Sequence, residues 1–244
     1  MRKTFVYSPE RQYPGTMTTS LPYETRYWYL RNHNLFAALN REEVEEICVI
    51  SNFKTARKSE IIYFSHDEHS QIYSLKQGII KIVETDEQGH ETIKDVLQKG
   101  DLFGQVSLDD IHPEEHAVAM SDYVTVCSFK ISDFENVLTK NPSLAISFTK
   151  LVGIRFKRLE NRYQNLMFKN VRSRFLLFLK EWAAQDAPDQ QHQVALKNYL
   201  THQDIASLIC STRQTVSQLF NECRQTGLLD YDRTTLTIPD VGKL

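Results

Sequence analysis

One stretch near the carboxyl end carries side chains that are suited to contacting base pairs. When a helix is drawn at about 100° per residue, one of its faces collects amide and guanidinium groups: Arg213, Gln214, Gln218, Asn221 and Gln225. Gln and Asn can bond adenine through two atoms, and Arg can do the same with guanine. This face therefore has the chemistry of a DNA-reading surface. An ordinary helical hairpin with a solvated polar face would show the same pattern.

The reverse side of the same helix is apolar. Val216, Leu219, Phe220 and Cys223 recur at helical spacing. A helix with one polar and one apolar face packs its apolar face against the rest of the domain. The pattern therefore predicts that these four side chains are buried.

A shorter helix and a tight turn are predicted just before it. Thr201 is suited to the N-cap of this first helix, and Asp204 three residues later approximates a capping box. Ser211 or Thr212 is expected to cap the second helix, with Gln214 placed to reach back.

A short hairpin is predicted after the second helix. Gly227 is expected to end that helix, and the turn residues 231–234 lead into the β-rich run Thr235–Ile238. Such a hairpin packed beside the helix pair would form a wing.

These segments resemble the winged helix-turn-helix of the Crp/Fnr superfamily of bacterial regulators. The matching residues are THQDIA at 201–206, STRQTVS at 211–217 and GLL at 227–229. One departure is Cys210, at a turn position where the family usually has glycine. A residue with a side chain makes that turn less relaxed.

The resemblance implies a sequence-specific regulator of transcription that binds double-stranded DNA as a homodimer, with RNA polymerase as a further partner. Arg213, Gln214 and Gln218 match the base-reading positions of the family. The candidates for contacts with the DNA backbone are Thr201, His202, Thr212, Ser217 and Arg233. Two reading helices related by a two-fold axis are expected to enter successive major grooves of a palindromic site, about 34 Å apart.

The first half of the chain predicts an antiparallel β-roll. Short alternating runs are separated by turn residues at spacings that are typical of such a sheet. The runs are Ile61–Phe64, Ile72–Leu75, Ile79–Val83, Thr92–Leu97, Val118–Met120 and Val124–Phe129. The sequences KQGIIKI at 76–82 and GDLFG at 100–104 resemble the cyclic-nucleotide-binding domain of the same superfamily. A helix capped by Asn40 and Glu43 is predicted before the roll.

The site for a cyclic nucleotide is degenerate in this sequence. The family motif Gly-Glu-Leu, whose Glu binds the ribose, is replaced by Gly104-Gln105-Val106. The motif Arg-Ser/Thr-Ala, whose Arg neutralises the phosphate, is replaced by Glu115-His116-Ala117. Leu159 and Glu160 stand where the cyclic-AMP receptor has a Thr-Ser pair that contacts adenine. A carboxylate facing a phosphate is repulsive, so we expect no binding of cyclic AMP at physiological levels.

A long helix is predicted from Asn141 and Pro142 to about Phe168. Its apolar residues recur with spacings of four and three, which is typical of a two-stranded seam. The seam consists of Val152, Phe156, Leu159, Tyr163 and Leu166. The alternative is a helix that packs only against its own domain. A hinge is expected near Lys169–Val171, followed by a helix over Arg172–Ala184 and a polar loop over Gln185–Gln193.

Composition and charge fit this organisation. The 244 residues carry a net charge of −2, and no apolar run is long enough to predict a transmembrane helix or a secretory signal. Residues 150–174 contain eight basic residues and one acidic residue, whereas residues 175–244 are slightly acidic. Four scattered cysteines indicate reduced thiols in a cytoplasmic protein.

Other sensor chemistries find less support. No cysteine precedes Cys48, which argues against the clustered ligands of an iron–sulfur relative. The pairs His66/His69 and His112/His116 have metal-like spacing, but surface histidines in acidic loops are the commoner explanation. We therefore expect no metal and no cofactor. No nucleophile lies beside a base in the sequence, so we expect no enzyme.

The sequence thus predicts an α+β protein in four parts. They are an arm over 1–24, a β-roll sensor domain over 25–140, a dimerisation helix and hinge over 141–169, and a winged helix-turn-helix over 170–244. The effector is an unknown small molecule or none. The alternative function is a small-molecule-binding regulatory module that acts mainly through protein partners.

Overall fold

The described chain is an α+β protein, as predicted, in which a β-roll, a long helix and a winged helix-turn-helix follow one another. The structure is a computed structural model and describes residues 21–64, 71–86, 88–104, 114–186 and 193–244. Most of the arm predicted for 1–24 lies outside these ranges. Gln105 and Val106 of the degenerate motif also lie outside them, as do the predicted metal-like histidines His66, His69 and His112.

Short helical pieces precede the roll and cover one of its faces. They are α1 (Tyr23–Arg31), a 3₁₀ turn (Asn34–Phe36) and α2 (Arg41–Ile50). The capping box of α2 is formed as predicted: the Asn40 side chain accepts from the Glu43 amide at 3.0 Å, and the Glu43 carboxylate accepts from the Asn40 amide at 2.7 Å. Apolar residues of this cap pack against Cys127 and Phe129 of the roll.

Two four-stranded antiparallel sheets form the roll within the described ranges. The strands are β1 (Asn52–Ala56), β2 (Ile61–Phe64), β3 (Gln71–Gln77), β4 (Ile80–Thr85), β5 (Glu91–Leu97), β6 (Leu102–Gly104), β7 (Glu114–Ala119) and β8 (Val124–Lys130). One sheet has the order β1-β8-β3-β6 and the other the order β2-β7-β4-β5. Apolar side chains from both sheets, among them Leu75, Ile80 and Val126, fill the space between them.

Gly104 closes the first sheet at a point where no side chain fits. Its φ is +106°, and a Cβ built on it would collide with the carbonyl oxygen of Gln71 on β3. The glycine of the family motif therefore has a steric role in this chain that does not depend on a ligand.

Three helices follow the roll. They are α3 (Ile131–Lys140), α4 (Pro142–Phe168) and α5 (Val171–Asp186). Pro142 occupies the first turn of α4, where its missing N–H costs nothing. The break between α4 and α5 falls at Lys169 and Asn170, and the Asn170 side chain accepts from the Ser173 amide at 2.9 Å. The predicted bounds of the long helix are confirmed.

The carboxyl-terminal unit combines two helices with a small sheet. Its elements are β9 (Val194–Lys197), α6 (His202–Leu208), α7 (Arg213–Gln225), β10 (Asp230–Tyr231) and β11 (Thr235–Ile238), and the sheet order is β10-β11-β9. Its apolar core joins α5, α6, α7 and the sheet.

This unit rests on the roll through apolar contacts. Ile79, Val96 and Met120 of the roll pack against the same core that holds the helix pair together. The two parts of the described chain therefore share one buried cluster.

Polar contacts surround this shared cluster. The Lys81 Nζ lies 3.8 Å from Oδ1 of Asp204 on α6. The Gln98 side-chain amide donates to the Tyr199 hydroxyl at 3.3 Å. These contacts link the chain around the start of α6 to β4 and to the end of β5.

The sequence predicted most elements of the described chain but missed α1, β1, β6, α3 and β9. Strand β1 has a single buried apolar side chain, Phe53, and β6 is three residues long, so neither shows an alternating pattern. Strand β9 directly follows the polar loop predicted to end at Gln193, and its four residues extend a sheet whose other members lie far along the chain.

No helix of the described chain is long and apolar enough to cross a membrane. Among the described residues, no three or more His, Cys, Asp or Glu side chains come together as metal ligands would.

Candidate nucleic-acid interface

The polar face of α7 is exposed. Arg213, Gln214, Gln218, Asn221 and Gln225 all project to solvent. A hydrogen bond from the Gln218 amide to the Glu222 carboxylate, 2.9 Å long, runs along the helix surface. These side chains are accessible to a partner that approaches this face.

The opposite face of α7 is buried as predicted. Val216, Leu219, Phe220 and Cys223 are at most 5 % exposed. The ring of Phe220 meets Phe175 of α5 edge to face, with 5.0 Å between centroids. Burial of this face against α5 and α6 leaves the polar face as the outer surface.

The N-caps of both helices are threonines. Thr201 and Asp204 form the predicted capping box of α6, with bonds of 2.8 and 3.1 Å. Thr212 caps α7 by accepting from the Thr215 amide at 3.1 Å. The prediction that Gln214 reaches back to the cap is wrong, because Thr215 stands third after the cap and Gln214 faces solvent.

The turn between α6 and α7 contains a strained residue. Cys210 has φ +51°, a region that glycine occupies easily and other residues rarely. The amides of Ser211 and Cys210 donate to the carbonyls of Ala206 and Ser207 at 2.8 and 3.2 Å, which is a Schellman ending of α6. The predicted departure from a relaxed glycine turn at Cys210 is therefore present in the structure.

Arg174 of α5 braces this turn, and the sequence analysis did not identify it. Its guanidinium donates to the carbonyls of Ile209 at 2.9 Å, Cys210 at 3.1 Å and Lys169 at 2.8 Å. One side chain thus ties the turn to the end of the long helix. The sequence showed only that Arg and Lys are frequent in residues 150–174. It did not show which of these arginines bonds to the turn.

Replacing Cys210 with Gly is expected to raise the free energy of unfolding by about 1 kcal/mol, because the left-handed conformation no longer carries a Cβ. Chemical denaturation followed by the fluorescence of Trp182, which is buried in this unit, measures the change. Gly227→Ala is the matched control: Gly227 ends α7 at φ +71° with open space around its Cβ position. The Gly227→Ala protein should have a free energy of unfolding that is lower than that of the parent by a similar amount. A Cys210→Gly protein that is less stable than the parent would contradict the account.

The wing carries Arg233 at its tip. The Asp232 carboxylate accepts from the amides of Thr234 and Thr235, both at 2.7 Å. These backbone hydrogen bonds lower the pKa of Asp232. Arg233 itself is exposed. The turn presents this arginine on the rim of the unit.

The other predicted backbone-contacting residues also lie on this side of the unit. Thr201 and Thr212 are exposed at the starts of α6 and α7, and Ser217 is half-buried on α7 next to Gln218. His202 is half-buried against α7. The structure thus brings the predicted contact residues onto the two helices and the wing of one unit.

Comparisons with known proteins bear on both halves of the chain. Residues 53–141 match the family profile described as "Cyclic nucleotide-binding domain". Residues 173–244 match the profile described as "Crp-like helix-turn-helix domain". The chain belongs to the Crp/Fnr superfamily.

The relatives of this Crp/Fnr protein are regulators. It is 28 % identical over 191 residues to the global nitrogen regulator of Synechocystis sp., and this alignment covers 76 % of the present chain and 83 % of the Synechocystis protein. It is 24 % identical over 201 residues to the fumarate and nitrate reduction regulatory protein of Escherichia coli, covering 82 % and 80 %. A mutant of CooA from Carboxydothermus hydrogenoformans superposes with a TM-score of 0.70 at 26 % identity, covering 88 % and 95 %. The chain is a Crp/Fnr-type transcription regulator with a helix-turn-helix DNA-binding domain.

The motif predicted to be a degenerate effector site takes part in an ion-pair network through Glu115. Glu115 lies on the same face of β7 as Ala117, and Ala117 is buried in the roll. Its carboxylate lies 2.9 Å from the Lys94 Nζ, which is 3.2 Å from the Glu84 carboxylate. Partial burial works against the charge on Lys94, but the hydrogen bonds and ion pairs with Glu115 and Glu84 outweigh it and raise the lysine pKa. Lys94 was not predicted, because it lies in a bulge of β5 that breaks the alternation.

His116, next in the degenerate motif, has its pKa lowered by burial. Glu160 on α4 pairs with Lys157 at 2.7 Å. Neither side chain carries a fixed positive charge.

The predicted seam of α4 forms an exposed apolar stripe in the isolated chain. We call this set the α4 stripe: Val152, Phe156, Leu159, Tyr163 and Leu166. All five are exposed, and Phe156 reaches 68 %. A row of this size on the surface of a single chain marks a contact surface.

A second side of α4 attaches the helix to its own roll. Arg162 lies 2.8 Å from the Asp95 carboxylate and Arg158 lies 3.2 Å from that of Asp101. Arg155 donates to the carbonyl of Leu102. Because these arginines recur at three and four residues, they share one face of α4. The α4 stripe lies on a different face and stays exposed.

Proposed function

We propose that this regulator is a homodimer that reads a palindromic DNA site through α7 and responds to no cyclic nucleotide. Arg213, Gln214 and Gln218 contact base edges. The residues proposed to contact the DNA backbone are Thr201, His202, Thr212, Ser217 and Arg233. Because its target is DNA, we propose that it acts in the cytoplasm, with RNA polymerase as a further partner at the promoter.

The observation that carries this proposal is the division of α7 into two faces. The amide and guanidinium groups are exposed while the apolar groups lock the helix onto α5 and α6. A helix held this rigidly presents its polar side chains in one fixed arrangement. Fixed donors and acceptors are what direct readout of a major groove requires.

Arg213→Ala is expected to weaken binding to the preferred site by about 1–3 kcal/mol and to relax selectivity at one base pair of each half-site, because a bidentate contact with guanine is lost. The preferred site is first obtained by selecting bound fragments from genomic DNA. Gel-shift titrations against that site and its single-base variants then measure the change.

Gln225→Ala is the matched control for this substitution. Gln225 shares the polar face of α7 but lies at its last turn, away from the predicted base-reading positions. It should leave base preference unchanged. An Arg213→Ala protein with the full preference of the parent would contradict the role of Arg213.

Cyclic AMP is expected not to bind at micromolar concentrations. The Glu115 carboxylate stands where the family's phosphate-binding arginine would be, and the nearby Lys94 is already paired with two carboxylates. Equilibrium titration with a fluorescent cyclic-AMP analogue tests this directly. Saturable micromolar binding would show that the pocket is intact.

Salt dependence separates DNA binding from a role that works mainly through protein partners. Contacts with phosphates release counterions, so the affinity for DNA should fall steeply as salt rises. A weak, salt-independent interaction with DNA would favour the protein-partner function.

A further inference from the structure

His202 touches each element that the proposed DNA interface needs. It is the first residue of α6. Its ring stacks on Phe220 of α7, with 4.6 Å between centroids and 7° between planes. On β10 of the wing, the Tyr231 ring lies 5.8 Å away. The imidazole Nδ1 is 2.8 Å from the Ser217 hydroxyl. Its orientation is therefore set by both α7 and the wing.

The Ser217 hydroxyl favours one tautomer of the His202 imidazole. That hydroxyl donates its one hydrogen to the Arg213 carbonyl at 2.9 Å. In the arrangement that forms both hydrogen bonds at once, the hydroxyl accepts from His202 and Nδ1 carries a hydrogen. The other nitrogen, Nε2, keeps a lone pair when the ring is neutral. Nε2 is thus the atom that gains or loses a proton.

The surroundings of His202 favour the neutral ring before DNA arrives. Burial lowers the pKa of His202, and the nearby Arg213 of α7 lowers it further. On its own helix, Asp204 is turned to the Thr201 amide and to Lys81 of the roll. The wing contributes the Tyr231 ring. No carboxylate among the described residues offsets Arg213 in setting this pKa.

A DNA phosphate would change that balance. Its negative charge favours the protonated ring, and Nε2–H is then a charge-assisted donor to a phosphate oxygen. We propose that His202 takes up one proton at Nε2 when it contacts the DNA backbone, so that this regulator binds its site more tightly as pH falls. The proposal rests on the DNA-binding function proposed above and adds a dependence on pH to it.

Binding to the selected site is measured at constant salt between pH 5.5 and 8. For the parent chain we expect a several-fold gain in affinity as pH falls, because one proton is taken up at His202 on binding. His202→Phe keeps a ring against Phe220 but cannot titrate, and its affinity should not vary with pH. His202→Gln is a second non-titrating variant in case the first misfolds.

His90→Gln is the matched control. His90 is exposed at the β4–β5 turn and pairs with Asp86 at 3.1 Å. This variant should keep the full pH dependence. The proposal would be overturned if the affinity of the parent chain for DNA did not change with pH, or if a folded His202 variant showed the same change with pH as the parent. Either result would leave DNA binding itself intact. If no chain binds DNA selectively at any pH, the proposed function fails, and the pH dependence fails with it.

Discussion

The double substitution Phe156→Asp with Leu159→Asp is expected to convert the proposed dimer to monomers and to weaken binding to the proposed palindromic site by about 100-fold or more. Both residues lie in the middle of the α4 stripe and are exposed in the isolated chain. Two charges on each side of an apolar seam would face one another without partners. Once the chains separate, the second half-site is no longer bound at a high effective concentration.

Sedimentation and gel-shift titration measure the two effects on the same protein. A single chain has a mass of 28.5 kDa, so monomer and dimer are easily told apart. The matched control is Asn161→Asp with Gln164→Asp, which adds the same two charges to exposed positions of α4 outside the stripe. A stripe variant that remains dimeric, or a control that dissociates equally, would contradict the assignment of this surface.

Replacing Lys76 with Met is expected to raise the free energy of unfolding by roughly 1–2 kcal/mol at pH 7. Lys76 lies on β3 beneath the helical cap and is 2 % exposed. Its Nζ has no hydrogen-bond partner among the described residues and lies 5.1 Å from the centre of the Phe36 ring. Burial lowers its pKa from 10.5 to about 8. That shift corresponds to about 3 kcal/mol, from which the attraction of the cation to the ring subtracts about 1–2 kcal/mol.

The direction of the pH effect follows from the lowered pKa. Between pH 8 and 10.5 the unfolded chain holds a proton on Lys76 that the folded chain does not, so stability rises with pH in this window. Below pH 8 the full destabilisation remains. The advantage of the Met variant should therefore be largest at pH 7 and should vanish near pH 10.5.

Urea denaturation of both proteins at pH 7, 9 and 10.5 measures this difference. Lys58→Met is the matched control, because Lys58 is an exposed lysine next to the same sheet. The difference in free energy of unfolding between the Lys58→Met protein and the parent should be the same at every pH. A Met variant that is less stable than the parent at pH 7 would show that the buried ammonium has a stabilising partner.

Local patterns carried the predictions that succeeded. The caps Asn40 and Thr201 act within three residues along the chain, and the two faces of α7 follow from helical spacing alone. The start of α4 could also be predicted from neighbouring residues, because Pro142 favours the first turn of a helix. The turn at Cys210 could be predicted because its conformation depends on the presence of a Cβ at that one position.

Contacts between distant positions account for what the sequence did not show. Arg174 bonds carbonyls that lie 35 and 36 residues further along, and nothing near it in the sequence distinguishes it from Arg172. Lys94 meets Glu115 only because a bulge redirects its side chain. The contact of α6 with β5 likewise joins residues that are about 100 positions apart in the sequence.

The two oxygen atoms of the Asp204 carboxylate make different contacts. Oδ2 secures the first turn of its own helix, whereas Oδ1 faces Lys81 across the boundary with the roll. Separation at that boundary would break this long electrostatic contact together with the Gln98–Tyr199 hydrogen bond and the apolar contacts of the shared cluster, but it would leave the cap of α6 untouched. The cap at the first turn of α6 therefore does not depend on contact with the roll, and we expect α6 to keep this turn if the winged helix-turn-helix changes its position relative to the roll.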